Sequence, residues 1–537
     1  MSSMITTSAW VRRGVAAQFP TKYEIDEKEM DRISKLARMQ LEDAREDLSA
    51  AQANGDAADK DEDAMEEDDV EEKDNKKDAP VKIDDDDLKE YDLEHYDSDE
   101  VDEDGEKITM FGNVKSLAYH QPNEEDPYLV VPEDEEDEER EELQILPTDN
   151  LLLAGKVEDE VAHLEVYVYE DEADNLYVHH DIMLPAIPLC LEWLDFPVGK
   201  SGENGSATGN FVAVGTMEPD IEVWDLDVVD SMYPNAILGQ GGADAEDDAK
   251  KSKKKKKKVK VNDEFHVDSV LALAANRQHR NLLASGSADR TVKLWDLNTA
   301  KSAKSYSHHT DKVCSLDWHP KESTVLLTGS YDRTIVAADM RAPDSKARWG
   351  VDADVETVRW DIHDPNYFYA TTDAGMVYRY DIRNVPATPR DSKPVWSLQA
   401  HDSSVSSFDI NPAIPGFLAT GSTDKQVKLW NVENDKPSMV VSRKLEVGKV
   451  FSTTFAPDAE VGFRLAVAGS KGTVQIWDTS TNAAVRRAFV SRMPSLEGEV
   501  QERMVGMQPD QDESDDDGAP DTGAAGGADG WESMDED

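Results

Sequence analysis

The sequence predicts an all-β chain folded as a seven-bladed β-propeller, with a short N-terminal helix and disordered acidic extensions at both ends. From about residue 107 to 493, short apolar runs alternate with turn residues, which is typical of many short strands. A motif such as LLASGSADRTVKLWD, residues 282–296, returns every ~40–50 residues, the period of a four-stranded propeller blade. Blocks of acidic residues lie mostly outside this repeating region.

The overall composition limits the functional class. The 537 residues carry a formal charge of -57 and are 38% hydrophobic, so part of the chain is predicted to be disordered. No apolar run approaches the ~20 residues needed to cross a bilayer, and the first residues lack the apolar stretch of a secretion signal. We therefore expect a soluble intracellular protein with no membrane partner.

Residues 1–50 are interpreted as a docking arm that ends in a short helix. The arm has the aromatic and arginine composition of binding hot spots, in Trp10, Arg12, Arg13, Phe19 and Tyr23. Residues 26–49 keep apolar side chains on one face of a helix that is too short to be stable alone. We expect the arm to become ordered on a partner. The alternative is that Trp10 and Phe19 pack against the side of the propeller.

Two low-complexity acidic segments, residues 51–106 and 494–537, are predicted to be disordered tails. Ser98 and Ser514 each precede several carboxylates, a context that favours phosphorylation by an acidophilic kinase. The acidic residues either serve solubility alone or screen basic partners such as ribosomal proteins and histones.

Seven copies of the motif predict seven blades. The copies end at Tyr169, Trp224, Trp295, Ala338, Tyr380, Trp430 and Trp477. Three copies also share a histidine, a serine or threonine, and an aspartate at fixed spacing, and two of these keep the tryptophan. The three sets are His266, Ser285, Asp289 and Trp295; His309, Thr328 and Asp332; and His401, Thr420, Asp424 and Trp430.

These sets resemble the tetrads of the WD-repeat family. The resemblance implies that each set is a hydrogen-bonded chain from strand to turn, which agrees with the high cost of burying an unpaired aspartate or histidine. A catalytic role is disfavoured because a catalytic set would occur once, not around a ring. The family's exposed contact positions correspond here to Lys312 and Tyr331 in blade four, and an alignment of strands adds Lys449 and Phe451 in blade seven.

Several blades depart from the pattern. Lys471 stands where blade seven needs its aspartate, Ala338 replaces the tryptophan of blade four, and blades one and two have no tetrad histidine. The strand that closes the ring is ambiguous: either residues 107–112 or residues 483–493 can supply the last outer strand.

Two insertions are predicted on loops of the propeller domain, residues 107–493. Residues 133–142 lie between the first two strands of blade one, and residues 239–261 separate blades two and three. The second insertion contains six consecutive lysines: Lys253, Lys254, Lys255, Lys256, Lys257 and Lys258. Such a run predicts a nuclear-import signal and a sequence-independent contact to nucleic acid phosphates, and a solvated loop is the alternative.

No residue pattern predicts an enzyme. The sequence has no glycine-rich phosphate loop, no zinc-type spacing and no nucleophile elbow. Cys190 and Cys314 lie in apolar strand-like segments, which favours reduced packing residues. We expect no cofactor, no metal ion and no small-molecule substrate.

Three stretches are more specific than the blade motif: residues 8–26, 125–170 and 176–196. Together they are similar to a family of nucleolar WD-repeat ribosome-assembly factors. The resemblance implies a non-catalytic scaffold of the nucleus and nucleolus, active in early large-subunit (60S) assembly and pre-rRNA processing. The implied partners are the pre-60S particle, pre-rRNA, other assembly factors and basic ribosomal proteins.

Two other functional classes remain open at this stage. A histone-binding chromatin propeller would share the ring and the acidic segments. A substrate receptor of a cullin ubiquitin ligase is suggested by Arg341 and Arg383, which stand two residues after strand-end aspartates, as in an adaptor box whose tryptophan is replaced. The simpler role for both arginines is pairing with nearby strand-end carboxylates.

Overall fold

The structure is a computed structural model that describes residues 3–23, 30, 140–141, 143–159, 161–198, 208–240, 262–342, 346–489, 492 and 501–506. Several predictions fall outside these residues: the helix at 26–49 apart from residue 30, the acidic segment 51–106, the lysine run, Ser98 and Ser514.

The described residues form thirty strands and one α-helix. In chain order the strands are β1 (Ser3–Val11), β2 (Thr21–Lys22), β3 (Asn150–Glu158), β4 (Val161–Glu170), β5 (Asn175–Leu184), β6 (Pro188–Leu194), β7 (Phe211–Thr216), β8 (Ile221–Asp225), β9 (Val228–Val229), β10 (Ala236–Leu238), β11 (Val270–Ala275), β12 (Leu282–Ser287), β13 (Val292–Asp296), β14 (Lys301–Tyr306), β15 (Val313–Trp318), β16 (Val325–Ser330), β17 (Thr334–Asp339), β18 (Lys346–Gly350), β19 (Val355–Trp360), β20 (Tyr367–Thr372), β21 (Met376–Asp381), β22 (Trp396–Gln399), β23 (Ser407–Ile410), β24 (Phe417–Gly421), β25 (Val427–Glu433), β26 (Lys436–Arg443), β27 (Val450–Phe455), β28 (Arg464–Gly469), β29 (Val474–Asp478) and β30 (Arg503–Gly506). The helix is α1 (Ala483–Ala488), and short 3₁₀ turns span Pro389–Asp391, Ala459–Val461 and Thr479–Thr481.

Seven antiparallel four-stranded sheets form the blades of the ring. From the inner to the outer strand they are β1-β3-β4-β5, β6-β7-β8-β10, β11 to β14, β15 to β18, β19 to β22, β23 to β26 and β27 to β30. Second strands such as β7 and β28 are buried along their whole length because neighbouring blades cover both faces, whereas the outer strand β14 is mostly exposed. The seven-bladed all-β prediction is confirmed.

Blade one is assembled from two distant parts of the chain. Its inner strand β1 pairs antiparallel with β3, so that Trp10 lies opposite Leu152. Trp318 and Trp360 hold the same place in blades four and five, opposite Leu326 and Phe368. The propeller therefore begins at Ser3, not at residue 107, and the chain between β1 and β3 is one long insertion in blade one that includes residues 133–142.

The ring closes between blades seven and one. The last outer strand is β30, which pairs with β29 inside the segment predicted as a disordered tail from residue 494. Residues 483–488 form helix α1 instead of a strand, because the Asn482 side chain accepts hydrogen bonds from the backbone N–H groups of Ala484 and Val485. The prediction of an outer strand at 483–493 is wrong, and residues 107–112 lie outside the described part of the chain.

The contact between blades seven and one combines an apolar cluster with ion pairs. Ile5, Trp10 and Tyr169 of blade one pack with Ala466 and Ile476 of blade seven in one buried cluster. Arg464 of blade seven also pairs with Asp171 of blade one at 2.7 Å. Since no strand is exchanged between these two blades, the cluster and such ion pairs hold the ring closed.

We call the side that carries the turns of residues 288–291, 331–333 and 423–426 the tetrad face, and the other side the opposite face. Residues 12–23 cross the opposite face from blade one to blade two, where β2 pairs in parallel with β9. The Thr21 N–H donates to the Asp227 carbonyl at 2.9 Å, and the Ile145 N–H donates to the Gln18 carbonyl at 3.0 Å. The long insertion of blade one therefore leaves and re-enters the ring on the opposite face.

The lysine-rich insertion leaves the ring on the other side. Gln240, its last described residue, donates its backbone N–H to Asp220 in the turn between β7 and β8, at 3.0 Å. After the insertion, the Asn262 carbonyl accepts a hydrogen bond from Lys293 Nζ at 2.6 Å. Both ends of the insertion are thus anchored near the tetrad face.

Candidate interaction face

The blade-three tetrad is a continuous hydrogen-bonded chain. His266 Nδ1 lies 2.9 Å from Asp289 Oδ2, and His266 Nε2 lies 2.6 Å from Ser285 Oγ. The Trp295 indole N–H donates to the same Ser285 Oγ at 2.8 Å. The chain ties the turn of Asp289 to the middle strands of the blade.

Blades four and six repeat this geometry. In blade six, His401 Nδ1 lies 2.9 Å from Asp424 Oδ2, and the Trp430 indole donates to Thr420 Oγ1 at 3.0 Å. In blade four, His309 contacts Asp332 at 3.1 Å and Thr328 at 2.7 Å, while Ala338 leaves the tryptophan position empty of a donor.

The electrostatics of the tetrads suit a structural role. Burial raises the pKa of Asp289, but hydrogen bonds from His266 and Thr291 outweigh it and lower that pKa to about 2. Burial lowers the pKa of His266 and of His401 against the effect of their aspartates. In the pairs His266–Asp289 and His401–Asp424, these shifts favour a neutral histidine beside the aspartate.

In blades one and two, the aromatic residue at the tryptophan position donates its hydrogen bond to a different partner. The Trp224 indole donates to Glu222 Oε2, two residues earlier on β8, at 3.1 Å. Burial raises the pKa of Glu222 to about 7. In blade one the aromatic residue of this position is Tyr167, opposite Leu152, and its hydroxyl donates to Glu165. The predicted end of this copy at Tyr169 is wrong by two residues, because β4 is longer than the third strands of the other blades.

The predicted contact residues on the tetrad face form two separate pairs. Lys312 is exposed beside the partly buried Tyr331, whose backbone N–H donates to the Lys312 carbonyl at 3.1 Å. Burial and the nearby Glu356 raise the pKa of the Tyr331 hydroxyl. Exposed Lys449 and partly buried Phe451 lie in blade seven, three blades away around the ring. A partner that contacts both pairs must span the mouth of the ring.

The arginines of the proposed adaptor box are engaged by carboxylates of their own hairpins. Arg341 Nη2 lies 2.8 Å from Asp339 Oδ2, and Arg383 Nη2 lies 2.8 Å from Asp381 Oδ2. This is the simpler of the two roles considered for them.

The N-terminal contact residues are part of the ring, so the docking-arm prediction is wrong for residues 3–23. Trp10 is 8% exposed, and its indole N–H donates to the Thr454 carbonyl of blade seven at 3.0 Å. Trp318 and Trp360 donate in the same way to the preceding blade, to the carbonyls of Ala274 and Asp317. The physical reason is that β1 is the inner strand of blade one, whose Ile5 and Trp10 are buried against blade seven.

The other residues of this segment are also engaged. Arg13 Nε donates to Asn150 Oδ1 at 2.8 Å, and its guanidinium lies 3.1 Å from Glu460. Phe19 is partly buried beneath the Arg140 guanidinium, 4.7 Å from its ring centroid, and the Tyr23 backbone N–H donates to the Val229 carbonyl at 3.0 Å. Arg12 is the member of the predicted set that remains exposed.

Helix α1 carries a group of arginines that the sequence did not single out. Arg487 and Arg492 are exposed and Arg486 is partly buried, while Val485 and Phe489 are fully buried beneath them. None of the three arginines has a carboxylate partner among the described residues. The signal was the RR pair itself, which was assigned to a strand in which the two side chains would face opposite ways.

In the part of the chain that the structure describes, no group of three histidine, cysteine, aspartate or glutamate side chains is arranged to hold a metal ion. No described helix is both long enough and apolar enough to cross a membrane.

Comparison with known proteins identifies the relatives of the chain. The family WD domain, G-beta repeat matches residues 258–296, 300–337 and 392–431. An uncharacterised WD repeat-containing protein of Schizosaccharomyces pombe is 48% identical over 520 residues, covering 96% of this chain and 97% of the relative. Periodic tryptophan protein 1 of Saccharomyces cerevisiae is 39% identical over 547 residues, covering 93% and 92%. The periodic tryptophan protein 1 homolog of Drosophila melanogaster is 31% identical over 382 residues, covering 70% and 77%.

Proposed function

The chain belongs to the periodic tryptophan protein 1 family, and on this premise we propose that it is a non-catalytic WD-repeat scaffold of ribosome biogenesis. It acts in the nucleolus during early assembly of the large (60S) subunit and supports pre-rRNA processing. Its partners are the pre-60S particle, pre-rRNA and other assembly factors, with basic ribosomal proteins as further candidates.

One observation carries the proposal: the similarity to periodic tryptophan protein 1 extends over nearly the whole chain. It covers 93% of this sequence, whereas the WD-repeat family itself matches three blades. The WD-repeat match alone would fit many unrelated scaffolds, because one fold carries many functions.

The charged segments fit a nucleolar scaffold. The lysines at 253–258 supply nuclear import and a phosphate contact that is independent of sequence. The described residues that flank the insertion, Gln240 and Asn262, lie near the tetrad face. The acidic segments attract and screen basic ribosomal proteins. Phosphorylation of Ser98 and Ser514 would increase the negative charge of these segments. Lys312, Tyr331, Lys449 and Phe451 are the contact residues we assign to protein partners on the tetrad face.

Affinity purification from a density gradient tests the proposal. We expect the tagged full chain to sediment with large-subunit precursors and to co-purify pre-rRNA and assembly factors. Sedimentation as a free protein, or recovery of histones without pre-rRNA, would overturn it and favour the chromatin alternative.

A further inference from the structure

Three arginines form a compact basic surface at the junction of blades six and seven. Arg486 and Arg487 lie on helix α1, and Arg492 lies just beyond it, where its guanidinium donates to the Pro415 carbonyl of blade six at 2.6 Å. We call these three side chains the arginine platform. It lies on the connection between β29 and β30, away from the tetrads and from the channel mouth.

The platform is held by the core of the ring and not by ion pairs. Val485 and Phe489 are fully buried, and the Phe489 ring centroid lies 4.5 Å from that of Phe417 in blade six. The helix N terminus is fixed by Asn482, whose side chain also donates to Glu502 Oε1 at 2.9 Å. The backbone of Arg486 and Arg487 is therefore held in place by the packing and capping of helix α1.

The platform gathers three arginines that have no carboxylate partner among the described residues, in a chain where acidic residues outnumber basic ones by 114 to 57. Arginines such as Arg13, Arg379 and Arg464 are each paired with a carboxylate. The exposed Arg12 and Arg390 also have no such partner in the described part of the chain, so the platform differs from them by bringing three such arginines together on one connection. Glu502, which lies on the same connection, is engaged by Arg443 and by the Trp477 indole. Among the described residues, the platform keeps its positive charge unneutralised and accessible.

The chemistry that remains accessible is guanidinium and small side chains. The large apolar side chains described on this segment, Val485 and Phe489, face inward, so the described part of the surface lacks the aromatic anchor that a protein partner would bury. Exposed Ala483 lets a partner's backbone approach the helix closely. Guanidinium groups bind phosphate oxygens in a planar, bidentate manner, and phosphate contacts need no apolar component.

We propose that the arginine platform binds the phosphodiester backbone of RNA. The inference rests on the proposed function, because pre-rRNA would be the natural occupant, and it names the surface through which the ring itself would contact that RNA. The contact is independent of base sequence, so its role is to position RNA along the side of blades six and seven.

The test compares two double variants of the full chain that remove the same charge. Arg486→Gln with Arg487→Gln alters the platform, and Arg390→Gln with Lys393→Gln alters two exposed cations on the connection between β21 and β22 in blade five. Binding of a mixed-sequence single-stranded RNA is titrated over a range of salt concentrations. We expect the slope of log K against log salt to become shallower by about 1.4 in the platform variant, for two phosphate contacts at about 0.7 each, and to stay unchanged in the control.

Other outcomes would overturn the proposal. An equal slope in the platform variant and the parent, with an unchanged melting temperature, shows that the platform does not contact RNA. Loss of binding to a polyglutamate peptide without a change in RNA binding assigns the surface to an acidic protein segment. If the chain sediments with pre-60S particles but the salt slope of RNA binding is the same in the platform variant and the parent, the inference fails while the proposed function stands. Arg486→Lys with Arg487→Lys should retain most of the slope, because the charge is kept.

Discussion

Trp10→Ala should destabilise the whole propeller, because Trp10 is a core residue of the blade-one inner strand. Its ring packs edge-on against Tyr169, with centroids 6.1 Å apart, and its indole N–H is bonded to the Thr454 carbonyl of blade seven. The substitution removes both contacts at the junction where the ring closes.

The expected loss follows from the burial of the side chain. Truncating a buried tryptophan to alanine costs about 3–5 kcal/mol of unfolding free energy. Of this, about 1–2 kcal/mol comes from leaving the Thr454 carbonyl without a donor. In a domain of this size each kcal/mol lowers the melting temperature by about 1–2 °C, so we expect a decrease of about 3–10 °C.

Two further variants calibrate the measurement, which is thermal unfolding of the full chain followed by near-ultraviolet circular dichroism. Trp360→Ala removes the equivalent indole of blade five and should cost a similar amount, whereas Arg12→Ala changes an exposed neighbour and should cost little. Trp10→Phe should lose mainly the hydrogen bond. If Trp10→Ala melts like Arg12→Ala, residues 3–11 are not the inner strand of blade one and the docking-arm interpretation returns.

Three other predictions concern the tetrads, the lysine run and Asp409, which lies on the inner strand β23 of blade six and accepts a hydrogen bond from the Phe455 N–H at 2.7 Å. Asp424→Ala should lower the unfolding free energy by about 1–3 kcal/mol in denaturant titrations, because it leaves the buried His401 Nδ1 without its carboxylate partner. An unchanged denaturation midpoint would refute a structural role for the tetrad. Burial raises the pKa of Asp409 to about 6 against the effect of Arg359, so its ionised form opposes folding at higher pH. Asp409→Asn should therefore gain stability over the parent at pH about 7.5 and less at about 5, and a gain that grows toward acid would contradict this sign. Replacing the lysines at 253–258 with glutamine should leave the ring folded but move the fluorescently tagged protein toward the cytoplasm, and unchanged imaging would reject the import role.

Blades three, four and six were predictable from the sequence because their tetrad residues recur at fixed spacing. A histidine and an aspartate that must meet, as His266 and Asp289 do, have to keep a fixed separation along the chain. The number of blades follows from the same repetition. Trp224 shows the limit of this signal, since its donor is satisfied by Glu222 on its own strand and leaves no long-range spacing to detect.

The inner strand of blade one was not predictable in the same way. Residues Ser3–Val11 pair with Asn150–Glu158 across an acidic insertion, and strand pairing over such a separation leaves no local periodicity. Composition instead drew attention to Trp10 and its neighbouring arginines, which suit an interface. That interface exists, but it lies inside the molecule, between blade one and blade seven.

The closure of the ring depended on a choice between helix and strand. In the segment AAVRRAF, residues 483–489, apolar and polar side chains alternate too weakly to distinguish a helix from a strand. The Asn482 cap and the burial of Val485 and Phe489 favour the helix. Once the helix forms, both arginines project from one connected surface. The arginine platform was therefore invisible until the segment's secondary structure was known.

Crosslinking of the native chain to RNA tests the central claim, that this propeller is a ribosome-assembly scaffold, most directly. Ultraviolet crosslinking in cells, followed by sequencing of the bound RNA, should recover large-subunit precursor rRNA in discrete regions, and the platform double variant should weaken those crosslinks more than the blade-five control does. Recovery of no rRNA above background, with the tagged protein folded and expressed at parental levels, would contradict the account.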